Sequence, residues 1–409
     1  MEDKELIPNL FRIEYRKIVS VLINLFGIKH IEIAEDIVSD TFLAATEVWS
    51  MKGIPENPTA WLYTVAKNKT KNYFKRTSLY EQKISPEIKY NSTVQTNEVK
   101  LDLSEKNIAD SQLAMIFTIC DPCNPSEAQI ALALNLLCGF GTHEIADAFM
   151  TNKEVIYKRI NRAKQKLKDK NIQINGPTIE QMKLRQENVL KTIYLLFSEG
   201  YYSSIENTVL RKDFCTEAMR LTYLLLENAT TNLPNVNALM ALMCFHTSRF
   251  DTRTNENGDI VLYQDQDEEL WNQELVSRGA YYLGKASVGD TLSKYHLEAG
   301  IAYWHTQKKN TQDKWKNILE LYNNLLVIDY SPIVALNRAF VISKIEGNKA
   351  GIIETEMLQL LDNHFYFSLL GNLHLDIDNQ KALQYFEQAY ALAHTDADKK
   401  IIKKYITNI

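Results

Sequence analysis

No apolar run in the 409-residue sequence reaches the ~18–20 residues that cross a bilayer. The opening MEDKELIPNL has no basic stretch leading into an apolar one, so a secretory signal peptide is not expected. Cysteine is sparse and odd in number, five in all, which suits a reducing compartment better than a disulfide framework. A cytoplasmic protein is the expectation. Glycine (14) and proline (9) are also scarce, while Ala, Leu, Ile, Lys, Glu and Gln are plentiful, a balance that favours helix. HExxH, GxSxG, GxGxxG and a phosphate-binding glycine loop are all missing, so neither an enzyme nor a cofactor is expected. Cys120 and Cys123 form a lone CxxC with no second pair and no histidine pair at ligand spacing, which points to a structural role. Asp265, Asp267, Glu268 and Glu269 lack the glycine and spacing of a calcium loop; they read as an acidic helix start before Trp271, and no metal site is expected.

What is present is a soluble, helix-rich chain, 45% apolar and 24% charged, long enough for two or three domains. Its net charge is −5, unevenly placed: residues 1–170 hold 23 basic and 22 acidic side chains, residues 171–409 hold 23 and 29. Within this acidic chain, Lys153 to Lys170 carries eight basic residues against two acids. Such a concentration is either a solvated helix face or a surface that meets phosphate.

Hydrophobic spacing organises the rest. In IEIAEDIVSDTFLAATEVW, Ile33, Ile37, Thr41, Ala45 and Val48 fall on one helical face, with Asp36 and Asp40 one turn apart elsewhere. Pro55 and Pro58 end that pattern, and Asn57-Pro58 starts a helix expected to reach Arg76. Residues 77–110 are polar and aperiodic, a linker between two small domains. Helical pattern returns at Ser111. A helix beginning at Pro125-Ser126-Glu127 stops near Gly139-Gly141; THEIADAF follows, with Thr142 placed to cap it; then comes a short turn and the basic stretch. Two short helices on a tight turn, the second basic, outline a helix-turn-helix. Gly176-Pro177 marks a second boundary. Beyond it, Trp315, Ile318, Leu319 and Tyr322, and then Ala382, Phe386 and Ala389, have the spacing of tetratricopeptide helices without a clean 34-residue period, so a generic helical bundle stays open.

Two basic clusters carry the functional reading. On Lys153–Lys170, Ile156, Ile160, Ala163 and Leu167 form an apolar stripe and the cations lie elsewhere, as on a helix packed along one side. Lys67 to Arg76, KNKTKNYFKR, combines five basic residues, two asparagines, Tyr73 and Phe74, a mixture suited to melted DNA, where phosphates need neutralising and bases stack. The competing reading is a solvated helix end with both rings in the core.

These segments resemble a known family. AEDIVSDTFLAATEVW with AWLYTVAKNKTKNYFKR is similar to region 2 of extracytoplasmic-function (ECF) sigma factors, and EAQIALALNLLCGFGTHEIADAFMTNKEVIYKRINRAKQKL to their region 4. LLFSEGY, DFCTEAMRL, LYQDQDEELW and SPIVALNRA resemble the subgroup with a tetratricopeptide-like C-terminal extension. The resemblance implies an all-α protein: a region 2-like domain over 1–76, a linker over 77–110, a region 4-like helix-turn-helix domain over 111–172, and a helical extension over 173–409. It implies core RNA polymerase and promoter DNA as partners. Asp36, Asp40 and Phe42 take the polymerase-binding positions, with Ser39-Asp40 standing where the family often has Gln-Glu. Asn68, Lys69, Lys71, Asn72 and Arg76 take the −10 positions, and Lys153, Glu154, Tyr157, Lys158, Arg159 and Arg162 the −35 positions. Glu154 and Tyr157 depart from the Ser, Gly or Thr common near the start of that helix. The acidic extension, opposite in sign to both clusters, is expected to be a regulatory or protein-binding module that controls access to polymerase or DNA. Two other readings stand beside this one: a helix-turn-helix regulator acting alone with a C-terminal sensor, and a repeat scaffold whose helix-turn-helix meets only protein.

Overall fold

The computed structural model describes residues 3–84, 101–149, 151–172, 174, 179–202, 208–255, 261–307, 309–375 and 377–409. The expected Gly176-Pro177 boundary and residues 85–100 of the expected linker lie outside them. Among the described residues the chain is all-α, and no helix is long and apolar enough to cross a membrane. It forms two compact units, residues 1–196 and 197–409.

The first unit begins with α1 (Asp3–Phe26), α2 (Ile31–Lys52) and α3 (Pro58–Ile84). Gly27 and Gly53, both at positive φ, let the chain leave α1 and α2 sharply. The Asn57 side chain accepts from Ala60 N at 2.9 Å, which starts α3 where Asn57-Pro58 predicts. Then come α4 (Glu105–Ile119), α5 (Ser126–Leu132) with a π turn over Ala133–Leu137, α6 (Thr142–Ala148), α7 (Lys153–Asp169) and α8 (Ile179–Tyr202), whose last turn belongs to the second unit. Helix intrudes on the 77–110 segment from both ends. At the far end the cause is plain: Ser104 caps α4, and Leu101, Leu103 and Ile108 are buried. α1 packs against both α2 and α4, and Ile18, Leu22, Leu62 and Phe117 on these helices and α3 are all buried. α8 is tied to that core through polar contacts: Thr192 donates to Gln129 Oε1 at 2.7 Å, and Arg185 pairs with Asp121 at 3.2 Å. The Cys120 thiol is buried, and burial pushes its pKa up to about 12.

The second unit holds α9 (Thr208–Glu227), α10 (Pro234–Thr247), α11 (Gln273–Ala286), α12 (Lys294–Thr306), α13 (Gln312–Ile328), α14 (Pro332–Glu346), α15 (Asn348–Glu356), α16 (His364–His374), α17 (Asn379–Leu392) and α18 (Asp396–Asn408). Polar side chains start many of them: Asn272, Thr311, Ser331, Asp378 and Thr395 each accept a backbone N–H three residues on. From α12 onward, neighbours in sequence are neighbours in space. Trp315, Ile318 and Tyr322 of α13 are buried against Leu297, Ile301 and Val341, with Leu319 at the edge of the cluster. Ala382, Phe386 and Ala389 of α17 are buried against Leu370. Gly371 lets α16 and α17 approach closely, since a Cβ there would lie 2.9 Å from the Phe386 ring.

Candidate nucleic-acid interface

α2 has a wide buried face, Ile31, Ala34, Ile37, Val38, Thr41, Phe42, Ala45 and Trp49, because it packs against two helices. Its other side shows Glu32, Asp36, Ser39 and Asp40 to solvent. Of the three residues expected to meet polymerase, Asp36 and Asp40 are exposed, while Phe42 is 5% exposed with its ring 4.7 Å from that of Phe11. Phe42 therefore supports the carboxylate face from beneath. Asp40 also pairs with Lys69 at 3.6 Å, bridging α2 to α3.

On α3, Leu62, Ala66 and Thr70 are buried, and the Tyr63 hydroxyl donates to Glu14 at 2.8 Å. Tyr73 and Phe74 are half-buried, with their rings 5.5 and 5.2 Å from that of Phe26 on α1. These aromatics anchor the helix instead of projecting as free stacking platforms. Asn68, Lys71, Asn72 and Arg76 are exposed, and Lys69 is half-buried beside Asp40. Anchoring rings on one side thus leave a cationic, amide-bearing strip on the other.

α6 starts differently from the sequence expectation. Thr142 is the first helical residue and not the cap; Gly141 precedes it, and its N–H donates to Glu144 Oε2 at 2.7 Å. A carboxylate one turn into the helix does the capping that the Thr142 hydroxyl was expected to do. Glu144 also accepts from Arg12 of α1 at 2.9 Å. After the turn, Asn152 caps α7 by accepting from Val155 N at 3.0 Å. Ile156, Ile160, Ala163 and Leu167 are buried, the stripe that the spacing predicts. Lys153, Glu154, Tyr157, Lys158 and Arg162 are exposed, Tyr157 by 58%. Arg159 is half-buried: it pairs with Glu127 at 3.2 Å and lies over the Phe149 ring.

Residues 10–79, the span of α1 to α3 just described, match sigma-70 region 2. Residues 185–287 match a family of unknown function, DUF6596. The uncharacterized protein R00370 of Rhizobium meliloti (strain 1021) is 30% identical over 385 residues, covering 93% of this chain and 91% of that protein. The chain belongs to the family of that Rhizobium protein. No solved structure matches it. A sigma-70 region 2 domain at its N-terminal end supports a sigma-factor-like role in transcription initiation, with core RNA polymerase and promoter DNA as partners.

Against this region 2 domain the basic helix α7 divides into two parts. Of its N-terminal cations, Lys153, Lys158 and Arg162 face solvent, free to neutralise phosphate. Among its C-terminal cations Lys166 and Lys170 are exposed as well, but Lys164 and Lys168 are held against α2. Lys164 is only 7% exposed, and its Nζ donates to both oxygens of Glu35 on α2 at 2.6 and 2.8 Å. Lys168 donates to Glu32, one turn earlier on α2. Burial works to raise the Glu32 pKa, but the Lys168 hydrogen bond and charge carry it below the usual carboxylate value. A third tie joins α1 to the start of α6. The Arg12 guanidinium lies 4.5 Å from the centre of the Phe140 ring, and a Cβ on Gly139, at φ +76°, would sit 2.9 Å from the Arg12 carbonyl oxygen. Composition shows neither Lys164–Glu35 nor Arg12–Glu144, because the partners are more than 120 residues apart. A weak signal for the first existed: Lys164 follows the buried Ala163 at the edge of the apolar stripe, where a cation needs a partner.

Proposed function

We propose that this protein is an alternative sigma factor of the ECF type that binds core RNA polymerase and directs it to promoters. The observation that carries the reading is the sigma-70 region 2 match over residues 10–79, which falls on helices that expose carboxylates on one surface and a cationic strip on another. In this reading Asp36 and Asp40 meet polymerase, with Phe42 holding their helix in place. Asn68, Lys69, Lys71, Asn72 and Arg76 read the melted −10 element. Lys153, Glu154, Tyr157, Lys158, Arg159 and Arg162 read the −35 element from α7 in the major groove. Cations on phosphate supply affinity, and an arginine paired with guanine supplies choice of base. The functional divisions are region 2-like residues 1–76, the segment 77–110, region 4-like residues 111–172 and the extension 173–409. The extension, a stack of neighbouring helices, acts as a tetratricopeptide-like regulatory or protein-interaction module.

Transcription reconstituted with purified core polymerase on fragments of genomic DNA tests this, with start sites sequenced. Initiation that depends on the protein, from sites sharing −35 and −10 elements, is the expected result. Promoter-independent DNA binding without initiation would instead make it a helix-turn-helix regulator acting alone.

A further inference from the structure

Within the second unit, the end of α10 and the connection that follows it meet the end of α12 around a cluster of cations and rings. The Arg249 guanidinium lies 5.3 Å from the centre of the Tyr263 ring and 5.7 Å from that of Trp271. One of its terminal nitrogens is 3.5 Å from His246 Nδ1. Arg253 stacks on Tyr201 at 3.8 Å, donates to the Tyr201 carbonyl, and lies 5.6 Å from the ring of Tyr202. His305, at the end of α12, sits 5.0 Å from the Tyr263 ring, whose hydroxyl donates to the His305 carbonyl at 2.7 Å.

Three features of this cluster are unusual for a packing contact. First, among the described residues the arginines with carboxylate partners are others, so neither Arg249 nor Arg253 has a salt bridge. Glu268 and Glu298 act on Tyr263 and Tyr202 only through space. Second, Arg249 Nε, Trp271 Nε1 and His305 Nδ1 are buried without a hydrogen-bond partner. Trp271 is 3% exposed, so its N–H is enclosed with nothing to donate to. Buried polar groups are otherwise nearly always paired. Third, burial and then the Arg249 charge push the His305 pKa down to about 3 and that of His246 well below its usual value. Both imidazoles are neutral at physiological pH, and the positive charge belongs to the arginines. A trapped water would satisfy an N–H, but it brings no counter-charge to two guanidinium groups held among aromatic rings.

We propose that this cluster is an oxyanion-binding site: Arg249 and the Trp271 Nε1–H are its donors, Arg253 is its second cation, and its ligand is a carboxylate or phosphate on a small molecule. Tyr202, 60% exposed with its hydroxyl 3.4 Å from His246 Nε2, borders the cluster. The site is independent of the sigma-factor reading, since every residue in it belongs to the second unit.

The test uses the full-length protein, titrated calorimetrically with inorganic phosphate and, separately, with acetate, at ionic strength held constant with chloride. Saturable binding of at least one anion, with a rise in melting temperature, is expected. Acetate alone binding would identify a carboxylate ligand, and phosphate alone a phosphorylated one. Trp271→Phe keeps the ring and removes the donor; Arg249→Gln keeps polarity and removes the charge. Each should weaken binding about tenfold or more, the loss of a hydrogen bond to a charged group. If Arg249→Gln fails to fold, Trp271→Phe decides by itself. Absence of saturable binding by either anion overturns the proposal, as does a folded Trp271→Phe protein that binds like the wild type.

Discussion

Replacing Lys164 with methionine removes one charge from a nearly closed contact and leaves the aliphatic stem to fill the same space. In the Lys164–Glu35 pair the side chains are 9% and 19% exposed; in Lys168–Glu32 they are 18% and 56% exposed. Breaking a buried pair by removing one partner costs about 3–5 kcal/mol, because the other charge is left unpaired in a poor solvent. Glu35 keeps some access to water, so the lower end, about 3 kcal/mol, applies to Lys164→Met. For Lys168→Met the surface value of about 0.2–1 kcal/mol applies, because Glu32 is already largely hydrated. Amide exchange measured on α2 and α7 reads this locally, without treating a two-unit chain as a single transition. Protection in α7 should fall by roughly a hundredfold in Lys164→Met and by less than about tenfold in Lys168→Met. Combining Lys164→Met with Glu35→Gln should recover much of the loss, a coupling on the order of 2 kcal/mol. Equal effects of the two lysine substitutions, or additive effects in the double variant, would show that Lys164–Glu35 does not hold α7 against α2.

Three further outcomes follow from the same contacts. Gly139→Ala should destabilise the first unit by about 1–3 kcal/mol, through its left-handed φ and the approach to the Arg12 backbone, whereas Gly53→Ala, strained but with open space around it, should cost less; thermal melts compare them. Arg162→Ala should weaken −35 promoter binding by about 1–3 kcal/mol in a gel-shift or anisotropy titration and leave stability unchanged, because Arg162 is exposed, whereas Arg159→Ala should also loosen the contact with Glu127 and Phe149. The Glu32 pKa is lower in the folded protein than in the unfolded chain, so its stabilisation is present at neutral pH and is lost as pH falls through the carboxylate range. Lys168→Met should flatten that acid dependence in urea melts taken at several pH values.

What the sequence makes legible is local. The Ile156–Leu167 stripe, the start of α3 at Asn57-Pro58 and the buried Trp315, Phe386 and Ala389 all follow from spacing and turn chemistry within a few turns of one helix. The errors are also local, but they concern competition. Thr142 and Glu144 are both able to cap α6, and only the backbone geometry at Gly141 shows that the carboxylate is bonded there. Tyr73 and Phe74 stand beside cations in the chain, and only the position of Phe26 shows that they anchor α3 to α1. The division of α7 is the deepest case. Eight basic residues look alike in composition, yet Lys153, Lys158 and Arg162 face solvent while Lys164 and Lys168 are held by carboxylates on α2. Since α2 is also the proposed polymerase-binding helix, two cations that look like spare DNA affinity, Lys164 and Lys168, are spent inside the protein. Phosphate contacts available to α7 are thus fewer than its charge suggests. The salt dependence of promoter binding, which counts the phosphates neutralised, should reflect fewer than all eight, because Lys164 and Lys168 are already paired.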